Sequence, residues 1–402
     1  MMILTLNCRT YSIQYQLFDW KNKSVLAHGE VERIVVGDSF ITHRVPGLPN
    51  AHRDAECSDH KAALGLILKT LSDARIGVIK NVNQISAVGH RVVHGGEKFT
   101  RSVQIDADVI DAIRDCATLA PLHNTPNLAG IEAARALLPN LPQVAIFDTA
   151  FHQTMPERAY MYPLPYDWYK THGIRRYGFH GHSHLYAARR GAELLGKAPA
   201  ETNLITVHTG NGVSLCAVQG GKSIDTSMGL TPLEGVMMGT RCGDIDPGIT
   251  SFVMKEMGLS ATEMELFLNQ KSGLAGIAGR YMSRRSALHE ASQGDERCRI
   301  GLQMEAYRLR KYIGSYIAVT GPIDAIVFSF GEGWVDWPVR GMALVEMEHF
   351  GIKLDPVQDL MALGDGKEHK ISAPDSKIAI YVLPSGEELV LNEDVAAVLK
   401  WH

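Results

Sequence analysis

The sequence contains no long hydrophobic run and little excess charge of either sign. No stretch of about 18 apolar residues occurs, so no membrane-spanning helix is expected. The 402 residues include 40 basic and 44 acidic side chains, which gives a formal net charge of −4. This balance argues against nucleic acid or an anionic membrane as the main partner, although a local cluster of arginines is enough to bind a small anion.

Cysteine is also sparse. The six cysteines are scattered along the chain and include no CxxC pair, which argues against a zinc knuckle and a disulfide framework. The N-terminal segment is too short for a signal peptide and lacks its basic start. These features together predict a cytoplasmic protein, since a reducing compartment suits unpaired cysteines.

The length and an internal repeat predict two domains of the same fold. A single core stops growing at roughly 250–300 residues, and this chain is longer. The segment Ile3–Ile34 is predicted to form three strands joined by two turns, and the segment Leu204–Ser227 has the same order. Helical patterns alternate with the remaining strands, which indicates an α/β protein with mixed sheets.

Polar residues follow several predicted strands, which is where open α/β sheets bind ligands. Arg91 follows the strand Gln84–Val88, and Asp148 follows the strand Gln143–Phe147. Arg241 lies in a glycine-bounded loop that also contains two carboxylates. A guanidinium is a planar fork with a permanent charge, so two arginines suit the equatorial oxygens of a phosphoryl group during transfer.

A glycine-containing turn, His208-Thr209-Gly210-Asn211-Gly212, separates two predicted strands in the middle of the chain. Its glycines allow backbone N–H groups to approach an anion closely. An isolated turn of this kind is more often an ordinary hairpin. The turn therefore counts as a phosphate site only together with other motifs.

The run His180-Gly181-His182-Ser183-His184 has the look of a metal site. It lies immediately before a helical pattern, and Ser183 is predicted to cap that helix. Metal binding by all three histidines is not expected, because the carboxylate or thiolate companions of such a site are not nearby.

The order of these motifs resembles the acetate and propionate kinase family over nearly the whole chain. The stretches that carry the resemblance are Ala120-Pro121-Leu122-His123-Asn124, Phe147-Asp148-Thr149-Ala150-Phe151-His152, Tyr177-Gly178-Phe179-His180-Gly181, Thr226-Ser227-Met228-Gly229-Leu230-Thr231-Pro232-Leu233-Glu234-Gly235 and Met238-Gly239-Thr240-Arg241-Cys242-Gly243-Asp244. The resemblance implies two duplicated RNase H-like domains of the actin, Hsp70 and sugar-kinase type. The first is expected at 1–150 plus 386–402, and the second, with the nucleotide side and the dimer interface, at 151–385.

The resemblance also implies an activity. It implies reversible, direct in-line phosphoryl transfer between ATP and acetate or propionate, giving an acyl phosphate and ADP. A carboxylate is already ionised at neutral pH, so no strong general base is needed. The implied cofactor is Mg²⁺, and the implied assembly is a homodimer.

The resemblance assigns residues to four roles: catalysis, acyl binding, phosphate or nucleotide binding, and magnesium binding. The catalytic residues are Asp148, Arg91, His180, Arg241 and His123. The substrate-binding residues are Arg91, Val93, Leu122, Phe179 and Pro232. The phosphate- or nucleotide-binding residues are His208, Gly210, Asn211, Gly212, Arg285, Gly331 and Gly333. The magnesium-associated residues are Asn7 and Glu387.

The sequence departs from the family pattern mainly on the donor side. In the first turn, Arg9 replaces a glycine, Tyr11 a serine and Gln14 a lysine. Arg9 is expected to be strained there, since arginine tolerates a positive φ poorly. Ser283 replaces an aspartate that usually meets the nucleoside, and the bulky Trp334 lies in a rewritten loop. The match at Glu387 is also inexact, since the preceding residue is glycine where the family usually has asparagine.

These departures leave three hypotheses for the phosphoryl donor and the activity. The first is an ATP-linked acetate kinase with an unusual donor site. The second is the same chemistry with a non-nucleotide donor or product such as pyrophosphate, with Arg9 and Arg284 supplying compensating charge. The third is a catalytically weak relative that binds acyl phosphate or a protein partner as a sensor. Acetate and propionate are not distinguished, since one methylene is worth only about 1–3 kcal/mol in a pocket.

Overall fold

The computed structural model describes residues 1–330, 339–362 and 366–401. The chain divides into two compact units, one formed by Met1–Phe151 with Glu387–His402 and the other by His152–Gly386. The last helix of the chain therefore belongs to the first unit. Across the described ranges, no helix combines the length and the apolar character needed to cross a bilayer.

The first unit contains an eight-stranded mixed sheet. Its strands are β1 (Met2–Cys8), β2 (Ser12–Asp19), β3 (Ser24–Glu32), β4 (Phe40–Arg44), β5 (Ala51–Asp54), β6 (Ile85–Val92), β7 (Val103–Gln104) and β8 (Gln143–Phe147). Their spatial order is β5-β4-β3-β2-β1-β6-β8-β7. Strands β1 to β5 form an antiparallel meander, whereas β6 runs parallel to β1 and β8 parallel to β6.

The second unit contains a six-stranded sheet with the same central arrangement. Its strands are β9 (Asn203–Thr209), β10 (Val213–Gln219), β11 (Lys222–Thr226), β12 (Ala325–Phe330), β13 (His369–Lys370) and β14 (Ala379–Pro384). Their order is β11-β10-β9-β12-β14-β13, with β12 parallel to β9 and β14 parallel to β12. The order β11-β10-β9-β12-β14 matches β3-β2-β1-β6-β8 of the first unit, which confirms the predicted duplicated fold.

Helices flank both sheets, and several begin at an acidic residue or serine that caps the first turn. The caps Asp59, Asp106 and Ser260 each accept a hydrogen bond from a backbone N–H of the first turn. The helices are α1 (His60–Leu71), α2 (Ala107–Cys116), α3 (Pro121–Leu137), α4 (Glu157–Tyr160), α5 (Tyr166–His172), α6 (Gly181–Leu194), α7 (Pro247–Met257), α8 (Ala261–Gln270), α9 (Gly273–Ala278), α10 (Arg284–Ser292), α11 (Glu296–Thr320), α12 (Val339–Leu344), α13 (Pro356–Met361) and α14 (Glu387–Val398).

The first sheet has a core on each of its faces. Ile3 packs in a cluster with Val395 of α14, whereas its neighbour Leu4 belongs to a cluster that includes Ile67 of α1. This alternation is the period of two that a strand imposes on its side chains. Helix α14 thus completes the first unit, and Glu387, its first residue, is fixed by that packing.

Candidate active site

In the first unit, Arg91 lies between two carboxylates. It is the penultimate residue of β6, which pairs in parallel with β8, so it lies near the end of β8 that leads to Asp148. Its Nε donates to Oδ1 of Asp148 at 2.8 Å, and its Nη2 donates to Oδ2 at 2.9 Å. Its Nη1 lies 3.2 Å from Oε2 of Glu387. Three of the predicted site residues are therefore joined in one charged cluster.

The electrostatics of this cluster favour the fully charged state. Burial opposes the positive charge of Arg91, but the carboxylates of Asp148 and Glu387 outweigh it and raise the pKa of Arg91 above its usual value. A guanidinium carries five N–H donors, so the contacts with the two carboxylates do not exhaust it. The fork-like pair with Asp148 also fixes the plane of the guanidinium.

Two asparagines of α3 position the residues that follow β6. The Asn127 side chain accepts from the Val93 backbone N–H at 3.0 Å and donates to the Cys8 carbonyl at 2.8 Å. The Asn124 side chain accepts from the His94 N–H at 3.0 Å and donates back to the His94 carbonyl at 2.9 Å. These two amides were not singled out from the sequence, although Asn124 lies in a quoted motif. They tie the ends of β1 and β6 to α3.

His123 and Leu122 lie in the first turn of α3, which begins at Pro121. His123 is half-buried, and Leu122 is largely exposed, with 50% of its surface accessible. The Leu122 carbonyl accepts a hydrogen bond from the Thr10 hydroxyl at 3.4 Å. This bond links α3 to the turn after β1.

The turn after β1 carries the departures from the family pattern. The Gln14 side chain accepts from Asn7 at 3.2 Å and from Arg9 at 2.9 Å, and it donates to Glu30 at 3.3 Å. Arg9 is not among the residues with a positive φ, and its N–H donates to the Ser12 carbonyl. The expected strain at Arg9 is therefore wrong, because this turn closes with ordinary backbone angles.

In the second unit, His180 and Arg241 converge on Gly212. A Cβ placed on Gly212 would lie 3.0 Å from Cε1 and 3.2 Å from Nε2 of His180, and 3.1 Å from Nη1 of Arg241. The missing side chain thus leaves a space bordered by an imidazole and a guanidinium. A space of that kind, lined by hydrogen-bond donors and positive charge, suits an anionic oxygen.

Arg241 is half-buried, and no carboxylate of the described residues neutralises it. Its Nη1 donates to the Pro232 carbonyl at 3.1 Å, and among the described residues it forms no ion pair with Asp or Glu. Burial lowers the pKa of Arg241 from its usual value, with no compensating carboxylate. A partly desolvated charge without a carboxylate beside it is costly, so this arginine is prepared to bind an anion.

The turn 208–212 differs in detail from the predicted phosphate cradle. The Gly210 N–H donates to the Gly212 carbonyl at 3.0 Å, so it points back into the turn. The His208 ring lies 4.0 Å from the His180 ring, centroid to centroid, while Asn211 is exposed. The turn contributes to the candidate site mainly through Gly212, whose missing side chain lets His180 and Arg241 approach.

Arg284, which the sequence analysis considered only as a source of compensating charge, contacts this turn. Arg284 donates to the Gly210 carbonyl at 3.3 Å and pairs with the buried Glu305 at 2.6 Å. Its neighbour Arg285, the predicted nucleotide-side residue, is exposed at the start of α10, and Ser283 caps that helix. Gly331, Gly333 and Trp334 lie outside the described residues.

The predicted site residues Phe179 and His180 lie in a strained turn before α6. His180 is the N-cap of α6 and adopts a left-handed conformation with a φ of 56°. The buried Phe179 precedes it, and its carbonyl accepts from Nε2 of His152 at 2.9 Å. His152, which the sequence placed only in a motif, therefore supports this turn. The prediction that Ser183 caps the helix is wrong, because Ser183 lies inside α6.

Buried hydrogen bonds occupy Ser183 instead. Its hydroxyl is 2.8 Å from Nδ1 of His208 and 2.7 Å from the Ser329 hydroxyl. The histidine run contributes to no metal cluster: in ranges 1–330, 339–362 and 366–401, no three His, Cys, Asp or Glu side chains are grouped to hold an ion.

The duplicated fold, with an arginine and a histidine converging on a glycine turn, is typical of a phosphotransferase of the two-domain α/β type. A model of the acetokinase family matches residues 2–393. The chain belongs to the acetokinase family.

Individual relatives agree with this assignment. An acetate kinase of Geobacter metallireducens is 58% identical over 99% of this chain and 95% of its own length. The crystal structure of Porphyromonas gingivalis acetate kinase superposes with a TM-score of 0.93 at 42% identity, covering 99% of each chain. A propionate kinase from Francisella tularensis superposes with a TM-score of 0.90 at 35% identity, covering 98% of each chain.

Proposed function

We propose that the protein catalyses reversible phosphoryl transfer between ATP and acetate, giving acetyl phosphate and ADP. The observation that carries this proposal is the convergence of His180 and Arg241 on the side-chain-free position of Gly212. The absence of a described carboxylate partner for Arg241 makes that space a site for negative charge. The names of the relatives supply acetate as the acceptor.

The reaction needs little proton chemistry. An oxygen of the ionised acetate attacks the γ-phosphorus of ATP, and the bond from that phosphorus to the bridging oxygen breaks, leaving the electron pair on ADP. Negative charge spreads over the three equatorial oxygens of the phosphoryl group in flight. Donors such as Nη1 of Arg241 and Nε2 of His180 stabilise that charge because they are already oriented.

Magnesium fits the chemistry of the charged cluster in the first unit. Mg²⁺ prefers oxygen ligands and is usually held by one or two carboxylates together with substrate phosphates and water. Asp148 and Glu387 offer carboxylates that already share a contact with Arg91, and Asn7 offers an amide. When bound, the ion would neutralise phosphate charge, while Arg91 fixes the orientation of both carboxylates.

The acyl group is proposed to contact Val93, Leu122, Phe179 and Pro232. In the second unit, Phe179 and Pro232 are both buried, and their carbonyls are fixed by His152 and Arg241 respectively. In the first unit, the backbone of Val93 is fixed by an asparagine of α3. Rigid apolar side chains suit a small methyl group.

The positions of the two compensating arginines support ATP over pyrophosphate as the donor. Arg284 is paired with the buried Glu305, and Arg9 lies 3.9 Å from Glu30. Because each cation already has a carboxylate beside it, neither adds net positive charge for a second inorganic phosphate. The charges of Arg9 and Arg284 are therefore used in local contacts with Glu30 and Glu305.

An assay with two acceptors and one acceptor-free control separates the candidate functions. The purified protein with Mg²⁺ and acetyl phosphate receives ADP, inorganic phosphate or neither, and ATP, pyrophosphate and acetate are measured. ATP formation with ADP alone is the expected result. Pyrophosphate formation would instead indicate a non-nucleotide donor, and binding of acetyl phosphate without either product would indicate a sensor. Light scattering of the same sample tests the proposed homodimer.

A further inference from the structure

A row of buried side chains extends from His180 into the interior of the second unit. The Ser214 hydroxyl lies 2.8 Å from Nδ1 of His180 and 2.8 Å from Nε2 of His184. On its far side, Nδ1 of His184 lies 2.8 Å from the Thr206 hydroxyl. Ser214, His184 and Thr206 are fully buried. The row is thus a continuous chain of hydrogen bonds that ends at the nitrogen of His180 facing away from Gly212.

Only two proton arrangements satisfy this row. A hydroxyl has one proton, so Ser214 donates to one imidazole and accepts from the other. Burial lowers the pKa of His184 well below its usual value, so His184 is neutral and has a single N–H. If Thr206 donates to Nδ1 of His184, then Nε2–H of His184 donates to Ser214, and Ser214 donates to Nδ1 of His180. In the reverse arrangement every one of these bonds points the other way.

The two arrangements have opposite consequences at the site. In the first, neutral His180 carries its proton on Nε2, the nitrogen beside Gly212. In the second, the proton of neutral His180 is on Nδ1, and Nε2 presents a lone pair to an anion. A lone pair facing a phosphoryl oxygen is repulsive, and protonating both nitrogens would place a second cation beside Arg241.

We propose that Ser214, His184 and Thr206 are positioning residues that hold a proton on Nε2 of His180, so that His180 donates to the phosphoryl group. This inference rests on the proposed function, which makes His180 a catalytic residue. These three residues, here called the relay, do not themselves contact the substrate. It acts by fixing the tautomer and the ring orientation of His180, as partners of a ligating histidine do in metal sites.

Substitution of Ser214 tests the relay through the turnover number. In Ser214→Ala we expect kcat to fall about 10–100-fold, with the KM values for acetate and ATP within about twofold of the parent. Ser214→Thr keeps the hydroxyl and is expected to recover most of the rate. Ser227→Ala is the matched control, because that buried hydroxyl accepts from the Leu215 N–H at 2.9 Å, on the residue next to Ser214.

A spectroscopic measurement tests the relay without turnover. In the parent protein labelled with ¹⁵N-histidine, the resonances of His180 are identified by their loss in His180→Asn. We expect a protonated Nε2 and an unprotonated Nδ1 in the parent, and a mixture of tautomers in Ser214→Ala. A proton on Nδ1 in the parent, or an unchanged pattern in Ser214→Ala with kcat equal to that of Ser227→Ala, would overturn the proposal.

The two readouts distinguish failure of the relay from failure of the proposed function. If the parent forms no acetyl phosphate, or if His180→Asn is as fast as the parent, the proposed function of the site fails. The tautomer measurement still decides whether Ser214 controls the proton on His180. Conversely, an active parent with an unaffected Ser214→Ala variant overturns the relay and leaves the proposed function standing.

Discussion

Arg91 and Asp148 are joined by two parallel hydrogen bonds of 2.8 and 2.9 Å, which align the guanidinium and carboxylate planes. The two residues are 57 positions apart in the sequence and meet because β6 and β8 are parallel neighbours. Glu387, at the first residue of the last helix, contacts the same guanidinium at 3.2 Å. The cluster thus joins one cation and two anions that come from three separate parts of the chain.

Asp148→Asn should abolish most activity while leaving the fold intact. Glu387 still balances the charge of Arg91. The substitution therefore removes the bidentate carboxylate contact without leaving the guanidinium unpaired. We expect kcat to fall by a factor on the order of 100 or more, together with weaker activation by Mg²⁺. Steady-state kinetics over a magnesium titration measures both effects.

Asp73→Asn is the control for this prediction. It removes a carboxylate that pairs with Arg53 at 3.0 Å in the same unit, outside the candidate site. Its kinetics should match those of the parent. Equal losses in Asp73→Asn and Asp148→Asn would show that the effect comes from general damage to the unit.

Arg241→Ala and Arg284→Ala should separate activity from stability. Arg241 has no described carboxylate partner, so its removal should leave the free energy of unfolding within about 1 kcal/mol of the parent while kcat falls by about 100-fold or more. Arg284→Ala instead leaves Glu305 buried without its partner, and it should destabilise the protein by about 3–5 kcal/mol. Urea unfolding and initial rates give the two quantities. Similar destabilisation by both substitutions would contradict the assignment of Arg241.

Gly212→Ala should fill the proposed phosphoryl site. The new methyl group would lie 3.0 Å from the His180 ring and 3.1 Å from Nη1 of Arg241, closer than ordinary contacts. We expect a loss of activity of at least about tenfold, since displaced donors no longer fit the charge that develops. Gly314→Ala is the control, because no heavy atom lies within 4 Å of the added methyl group in the middle of α11. That variant should be fully active and more stable by about 0.5–1 kcal/mol.

Stability should fall as the pH decreases from about 6.5 towards 4. The pKa of the buried His90 is lowered from its usual value to about 4, mainly by burial, while its Gln143 hydrogen bond opposes the shift. Between these two pH values the unfolded chain therefore binds a proton that the folded protein does not. Folding stability consequently rises with pH in this window, by about 3 kcal/mol from this residue.

The contribution of His90 is measured by comparing variants across this pH window. Urea unfolding at pH 7 and pH 5 should show a smaller difference in His90→Gln than in the parent. The surface variant His52→Gln, at a residue whose side chain is 57% exposed, serves as the control for the substitution of histidine by glutamine. Identical pH dependence in the parent and in His90→Gln would contradict the prediction.

The duplicated fold was predictable because strands and turns follow local rules. The meanders that open each unit show alternating hydrophobic residues and turn residues at regular intervals. The helical pattern in the sequence begins only at Ala129, whereas α3 begins at Pro121. Pro126 inside this helix disrupts the helical pattern, and buried contacts in the folded unit outweigh that local preference.

The candidate site was predictable in its residue types but not in its pairings. Arg91 and Asp148 were identified at strand ends, but their hydrogen bonds depend on the register between strands that are far apart in sequence. Ser183 fits the rule for a helix cap, yet the helix begins two residues earlier and the hydroxyl is used by His208. Tertiary hydrogen bonds of this kind leave no periodic signal in the sequence.

The path of the chain between the two units bears on how the protein can be re-engineered. The chain leaves the first unit after Phe151 and re-enters it at Glu387. The second unit is thus one uninterrupted segment of the chain, whereas the first is made of two segments that are distant in sequence. Both splice points fall beside proposed site residues, Asp148 at one and Glu387 at the other. A chimaera that carries the second unit of a related protein must therefore keep the parent's residues at both junctions. Otherwise it loses the charged cluster.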